Sequence, residues 1–177
     1  MSFPLANVDL KLEADWEDGD RIFGRCRRFH ADALVSQTLA VWPAGDHSAP
    51  ATLTRLAHEF GLRDTLHGSW AARPLELLRE GGNTVLLLED PGGSPLSGLI
   101  GRPMVIGQFL TIAMAIAAAV GGLHQRGLIH KDLKPSHILV ADSHRHAWLL
   151  GFGIASPIPR EPQSYSCLLY TSDAADE

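Results

Sequence analysis

The feature that most constrains this chain is a change of period in its second half. The apolar residues Ile106, Phe109, Leu110, Ala113, Ile116, Ala117, Val120 and Leu123 recur at three- and four-residue steps, which predicts one long helix. Gly127 supplies a stop for it. Beyond a short polar loop, Ile138-Leu139-Val140 and Ala147-Trp148-Leu149-Leu150 bracket Asp142-Ser143-His144-Arg145, the pattern of a hairpin.

The part before that helix reads as strands. Apolar runs at 33–35 and 38–42 lie around polar turns within residues 23–43 and predict a small antiparallel sheet. After a Pro/Gly/Ser-containing stretch at 43–50, the residues Leu53, Leu56, Ala57, Phe60 and Leu66 fall at mostly helical spacing, so 51–66 is expected to be an amphipathic helix. Residues 72–78 and 84–88 flank Glu80-Gly81-Gly82-Asn83, a strong turn signal, and are expected to pair. The breaker-rich Glu89-Asp90-Pro91-Gly92-Gly93-Ser94-Pro95 then reads as a hinge between a strand-dominated part and a helical part.

A chain that is 45% hydrophobic and 20% charged carries enough apolar material for one sizeable core. A formal charge of −5 offers no basic field for nucleic acid or an anionic membrane. The local cluster Arg21, Arg25, Arg27 and Arg28 is interleaved with Ile22, Phe23 and Phe29 and reads as the solvated outer face of a strand. Cys26 and Cys167 match no metal-ligand or redox spacing, so a reducing cytoplasm is the expected compartment. The first residues lack a basic region followed by an apolar run, unlike a secretory signal. The most apolar stretch, 109–123, falls short of the roughly 20 residues that span a bilayer; with Thr111, Gly121 and Gly122 inside it, it reads as a buried core helix and not a membrane segment. Residues 167–177 fit no core-forming period and resemble translated sequencing-adapter sequence. They are set apart from the fold reading, and because they hold three acidic and no basic residues they account for part of the net charge.

His130-Lys131-Asp132-Leu133-Lys134-Pro135 followed by Ile138-Leu139-Val140 resembles the catalytic loop of protein kinases, whose usual form is HRDLKxxN. The context matches too: a long apolar helix precedes the loop, and a two-strand unit ending in Gly151-Phe152-Gly153 follows it. The resemblance implies an α+β fold of two lobes, protein-kinase-like. Residues 1–88 would form an N-lobe of antiparallel sheet plus helix, 89–95 the hinge, and 96–166 part of a mainly helical C-lobe. It implies further that Asp132 accepts the proton of an attacking hydroxyl and that Lys134 faces the transferred phosphate, which tilts the substrate class toward Ser/Thr hydroxyls of a protein. On the adenine side of the cleft, Leu88 matches the gatekeeper, Glu89 and Pro91 the hinge, and Leu139 the floor beneath the base of ATP. Those positions could bind a nucleotide without magnesium.

The same comparison exposes losses. The metal-ligand Asn is replaced by His137 and the metal-ligand Asp by Gly151. Magnesium prefers oxygen donors in near-octahedral geometry, so both substitutions remove ligands and two-metal phosphoryl transfer is expected to be crippled. Trp42 falls where the phosphate-binding Lys of the third strand stands, and Glu59, its usual helix partner, reads as an exposed helix charge. Gly19 and Gly24 do not form GxGxxG. Of the histidines within one short span, His130 belongs to the loop motif, and His137, His144 and His146 lack the Cys or acidic partners of a zinc site.

HKDLKPSHILV with WLLGFGIAS is similar to the kinase-like domain of large bacterial signalling proteins that continue into an ATPase module and a sensor histidine kinase. The resemblance implies a Ser/Thr kinase-like domain, with those C-terminal domains of the same polypeptide as partners. Its alternative is a pseudokinase acting through conformation alone. A small-molecule phosphotransferase of related fold is a third reading, disfavoured because such enzymes typically show HGD with a following Asn and a metal-binding Asp.

Overall fold

The computed structural model describes residues 2–5, 8–30, 33–45 and 49–159; the adapter-like segment 167–177 lies outside them. The chain is α+β. Strands β1 (Ser2–Leu5), β2 (Val8–Asp18), β3 (Arg21–His30), β4 (Ala33–Pro43), β5 (Pro74–Glu80) and β6 (Asn83–Leu88) form one antiparallel sheet in the order β1-β2-β3-β4-β6-β5. Helix α1 (Pro50–Gly61) packs against this sheet. The expected β5–β6 hairpin forms, with Glu80 opposite Asn83. The two runs expected near 33–42 are one continuous strand, and the preceding β2–β3 ribbon extends the sheet further than the apolar pattern indicated.

The two faces of the sheet are sorted by strand alternation. Phe23, Leu39, Val41, Leu86 and Leu88 pack with Leu56 of α1 on the inner face, whereas Leu12, Cys26, Ala40, Trp42, Val85 and Leu87 form a cluster on the other. The register of β2 shifts between Ala14 and Trp16, so Asp15 is an extra residue. A bulge moves the following side chains to the opposite face. Leu12 therefore lies on the outer face, while Trp16 packs against the inner cluster and stacks on Phe23 with ring centroids 5.2 Å apart.

The second part holds α2 (Ile106–Gln125) and the short strands β7 (Ser94–Pro95), β8 (Leu128–Ile129), β9 (Ile138–Val140), β10 (Ala147–Leu149) and β11 (Ser156–Pro157). β9 pairs with β10 in the expected hairpin and with β7 from the hinge, and β8 pairs with β11. Its core gathers Trp70, Ile112, Ala119, Leu123, Ile138, Leu149 and Phe152. Only one face of α2 is buried, the stripe Ile112, Ala115, Ala119 and Leu123; Ile106, Phe109, Leu110 and Met114 are exposed. The expected core helix over 109–123 therefore lies within α2 with one face in the core and the opposite face uncovered. At 20 residues α2 is also, by length and composition alone, long and apolar enough to cross a membrane.

Main-chain bonds join the two parts: Ala72 N–H donates to Leu149 O at 3.1 Å and Leu149 N–H to Trp70 O at 2.9 Å.

Candidate functional site

The loop at 130–137 is shaped by its own bonds. His130 is buried; its Nε2 donates to Leu150 O at 2.8 Å and its Nδ1 accepts from Asp132 N–H at 3.3 Å. These two bonds fix the neutral tautomer, and burial holds the ring below its ordinary pKa. Lys131 adopts φ 67°, a conformation uncommon for a residue with a Cβ, which turns Asp132 and Lys134 toward the sheet. A single 3₁₀ turn, Pro135–His137, then drops His137 into the interior, where it is fully buried.

The sheet meets this loop at the tip of the β2–β3 hairpin. The turn is Gly19-Asp20, with Gly19 at φ +61°. Because of the bulge at Asp15, the tip presents Asp18 to the loop, and alternation places Arg21 on the same inner face as Phe23. One oxygen of Asp18 lies 2.9 Å from Lys134 Nζ, 2.7 Å from His137 Nε2 and 3.1 Å from Arg21 Nη2. Its other oxygen accepts from Ser136 Oγ at 3.2 Å. Trp16 Nε1 donates to Ser136 O at 3.0 Å, and Thr52 Oγ1 donates to Asp20, so the tip is fastened to both the loop and α1. Burial works against the Asp18 charge, but the Lys134 hydrogen bond and the His137 and Lys134 charges outweigh it, holding the carboxyl below its usual value.

Arg21 is buried at 2% exposure, which corrects the reading of it as part of a solvated face. Besides Asp18, its Nη2 lies 3.0 Å from His137 Nε2 and 3.6 Å from Asp132. His137 Nδ1 lies 2.7 Å from the Asp132 main-chain oxygen, which makes Nδ1 a donor. Nε2 then accepts from Arg21 when the ring is neutral and donates to Asp18 when it is protonated. Burial pushes the His137 pKa down, against the pull of the Asp132 carbonyl.

Of the other arginines, Arg25 pairs with Asp15 and Asp90, both at 3.0 Å, and donates to Gly93 O at 2.8 Å. Arg27 is exposed and 3.5 Å from Glu13, as expected of an outer face.

Glu59 is also corrected. It is fully buried, and Gly151 N–H donates to its Oε1 at 3.2 Å. Its Oε2 and the Nε of Arg21 are buried without a hydrogen-bond partner among the described residues. Burial drives the Glu59 pKa up, and the nearby Arg21 charge offsets part of that. The cation facing this glutamate therefore comes from β3, while Trp42 of β4 points to the opposite face of the sheet. Alternation was the signal that could have found Arg21, since it is two residues from Phe23. Nothing in the residue types announced the bulge that brings in Asp18.

The adenine-side residues are placed as follows. Leu88 and Leu139 are fully buried in one cluster with Phe23 and Leu150, and Trp16 packs against that cluster. Arg73 chelates one oxygen of Glu89 at 2.6 and 3.0 Å. Pro91 is half-buried beside Asp90, which caps Gly92 N–H.

Among the described residues, Asp18, Asp132 and His137 are the group whose donor atoms, all within 4.8 Å of one another, could hold a metal. The donor set does not fit magnesium. One donor is an imidazole, Gly151 offers none, and two cationic side chains already lie within 3.1 Å of the shared Asp18 oxygen. His144 and His146 lie elsewhere, against Gln108 and Trp148.

No protein-family model matches the chain. It is 34% identical over 73 residues to the serine/threonine-protein kinase Pkn1 of Myxococcus xanthus, covering 40% of this chain and 10% of that protein. It is 28% identical over 123 residues to the serine/threonine-protein kinase pkn2 of the same organism, covering 68% and 15%. It is 33% identical over 98 residues to the serine/threonine-protein kinase sid2 of Schizosaccharomyces pombe, covering 53% and 16%. The chain thus spans 10–16% of the length of these relatives. Together with the two-lobed α+β arrangement, these matches support a protein-kinase-like domain.

Proposed function

We infer that this is a phosphotransfer-deficient kinase-like domain, a pseudokinase, in a cytoplasmic bacterial signalling protein. It would regulate the ATPase and histidine-kinase domains expected in the same polypeptide by changing conformation. The observation that carries this reading is the Asp18 carboxylate, held by Lys134, His137 and Arg21 in the space where a kinase gathers phosphates and metal. A hairpin tip bonded to the loop in this way closes the cleft from the N-lobe side, and Trp16 seals the apolar end. Magnesium-dependent transfer finds neither its ligands nor room for its charge.

The test is a phosphotransfer assay on the full chain with Mg-ATP and a generic Ser/Thr protein substrate. It is run beside a thermal-shift titration of ATP with and without magnesium, since a ligand that binds only the folded state raises its melting temperature. No transfer and no magnesium-dependent shift are expected; robust transfer would overturn the reading.

A second reading, a Ser/Thr kinase that binds ATP, is favoured by one observation: Asp132 and Lys134 stay paired at 3.5 Å, near the surface of the cleft. If transfer is found, Asp132→Asn should abolish it, and survival of activity in that variant would show the proton acceptor to be misassigned.

A further inference from the structure

We propose that the cleft holds a metal-independent binding site for a tetrahedral oxyanion, phosphate or the terminal phosphate of a polyphosphate, and that Asp18 occupies it as a built-in substitute. This deepens the regulatory reading and rests on it: the anion is the input that releases the hairpin.

The site is recognisable from its donors. Lys134 Nζ and Arg21 Nη2 converge on one Asp18 oxygen at 2.9 and 3.1 Å, Ser136 Oγ reaches the other at 3.2 Å, and His137 Nε2, 2.7 Å from the first oxygen, joins them as a donor only when its ring is protonated. A guanidinium, an ammonium and a hydroxyl around one small anion make a donor set that suits phosphate as well as carboxylate. A phosphate also brings more acceptor oxygens than Asp18 does. One donor is free to meet them: Arg21 is 2% exposed, and its buried Nε, 3.9 Å from Asp20, has no hydrogen-bond partner among the described residues.

Charge bears on this locally. Arg21 and Lys134 face Asp18 and Asp132, and Arg21 also lies 3.9 Å from Asp20 and near the buried Glu59. Withdrawing Asp18 removes the carboxylate that lies closest to both cations, so the vacated space is more favourable to an anion than before. The plug is also able to leave. Asp18 precedes the Gly19 turn, where nothing lies within 4 Å of the position a Cβ would take, so the tip has open space on that side. What holds it is a short set of bonds, chiefly Trp16 to Ser136 O and Thr52 to Asp20.

The experiment measures binding of tripolyphosphate by calorimetry, in EDTA, to the full chain as wild type, Asp18→Ala and Asp18→Asn. Each is first shown to melt cooperatively. Both variants should bind about tenfold more tightly than wild type, equal to a difference of about 1.4 kcal/mol, and adding Lys134→Ala should erase the gain. Should Asp18→Ala not fold, the near-isosteric Asp18→Asn carries the comparison.

Equal affinity in wild type and variants, absence of binding in all of them, or binding that appears only with magnesium would overturn the proposal. Phosphotransfer from Mg-ATP is assayed in the same preparations. Activity there contradicts the pseudokinase reading, whereas an absent tripolyphosphate response with no activity contradicts the anion site alone.

Discussion

Replacing Gly151 with aspartate would put a carboxylate back where the kinase pattern carries a metal ligand, and it is expected to damage the fold instead of restoring chemistry. Gly151 has φ +75°, and a Cβ built on it meets Cε1 and Nδ1 of His137 at 2.7 Å and Cγ at 2.8 Å. A side chain in that backbone conformation costs about 1–2 kcal/mol. Crowding a fully buried ring that is bonded on both nitrogens adds about 1–3 kcal/mol. Gly151→Ala, which tests these two effects without charge, should therefore lose about 2–5 kcal/mol in urea unfolding, a large share of a typical domain's stability. Gly151→Asp should lose more, since its carboxylate is brought toward Glu59 and Asp132. The decisive measurement is a double-mutant cycle with His137→Ala. With the ring gone, Gly151→Ala should retain only its backbone cost, giving a coupling of about 1–3 kcal/mol. His137→Asn relieves less, because its Cγ stays where the clash is. Additive costs, or a Gly151→Ala variant as stable as wild type, would refute the reasoning.

Glu59→Gln mimics the protonated acid. Because burial raises the native pKa of Glu59 above its unfolded value, the native state is favoured at low pH and penalised as pH rises; the variant's melting temperature relative to wild type should increase between pH 5 and pH 8. His130 behaves oppositely. Its native pKa lies below the ordinary 6.5, so the unfolded chain takes up the proton first and stability should fall as pH drops below that value. The slope from this group is up to about 1.4 kcal/mol per pH unit; read from urea midpoints, it should be reduced in His130→Asn, with the remainder supplied by His137, whose pKa burial also lowers. Gly24→Val should abolish folding, since even a Cβ there would lie 1.9 Å from Glu13 O and 2.9 Å from the Trp42 ring; a cooperative melt by circular dichroism would contradict the β2–β3 pairing.

Much of the fold was legible in the sequence because it depends on periods. The β5–β6 turn at Gly81-Gly82, the long helix ending before Gly127 and the hairpin at 138–150 all follow from local spacing and turn chemistry. The site was less legible. Asp132, Lys134 and His137 could be placed from the loop alone, but Asp18, Arg21 and Trp16 arrive across the sheet, more than a hundred residues away in sequence. Arg21 was misread because its neighbours are arginines: composition suggested a solvated face, while the alternation with Phe23 decides burial. Glu59 was misread because its partner was sought on β4, at Trp42, when the cation comes from β3.

The departures from the kinase pattern are mutually dependent. Gly151, lacking a side chain, leaves space for an imidazole; His137 fills that space and offers Nε2 to Arg21. Arg21 supplies from β3 the positive charge that β4 does not, and so relieves Trp42 of any role in the cleft; Trp42 packs on the outer face against Gly24. Asp18 then neutralises the cations that a metal-bound nucleotide would otherwise meet. Each replacement is explained by another, and single reversions create clashes or uncompensated buried charge. The cleft thus holds a different set of interlocking contacts, centred on Asp18, Arg21 and His137, and the two buried polar atoms left without a hydrogen-bond partner among the described residues, Glu59 Oε2 and Arg21 Nε, belong to the glutamate and the cation that face each other across it.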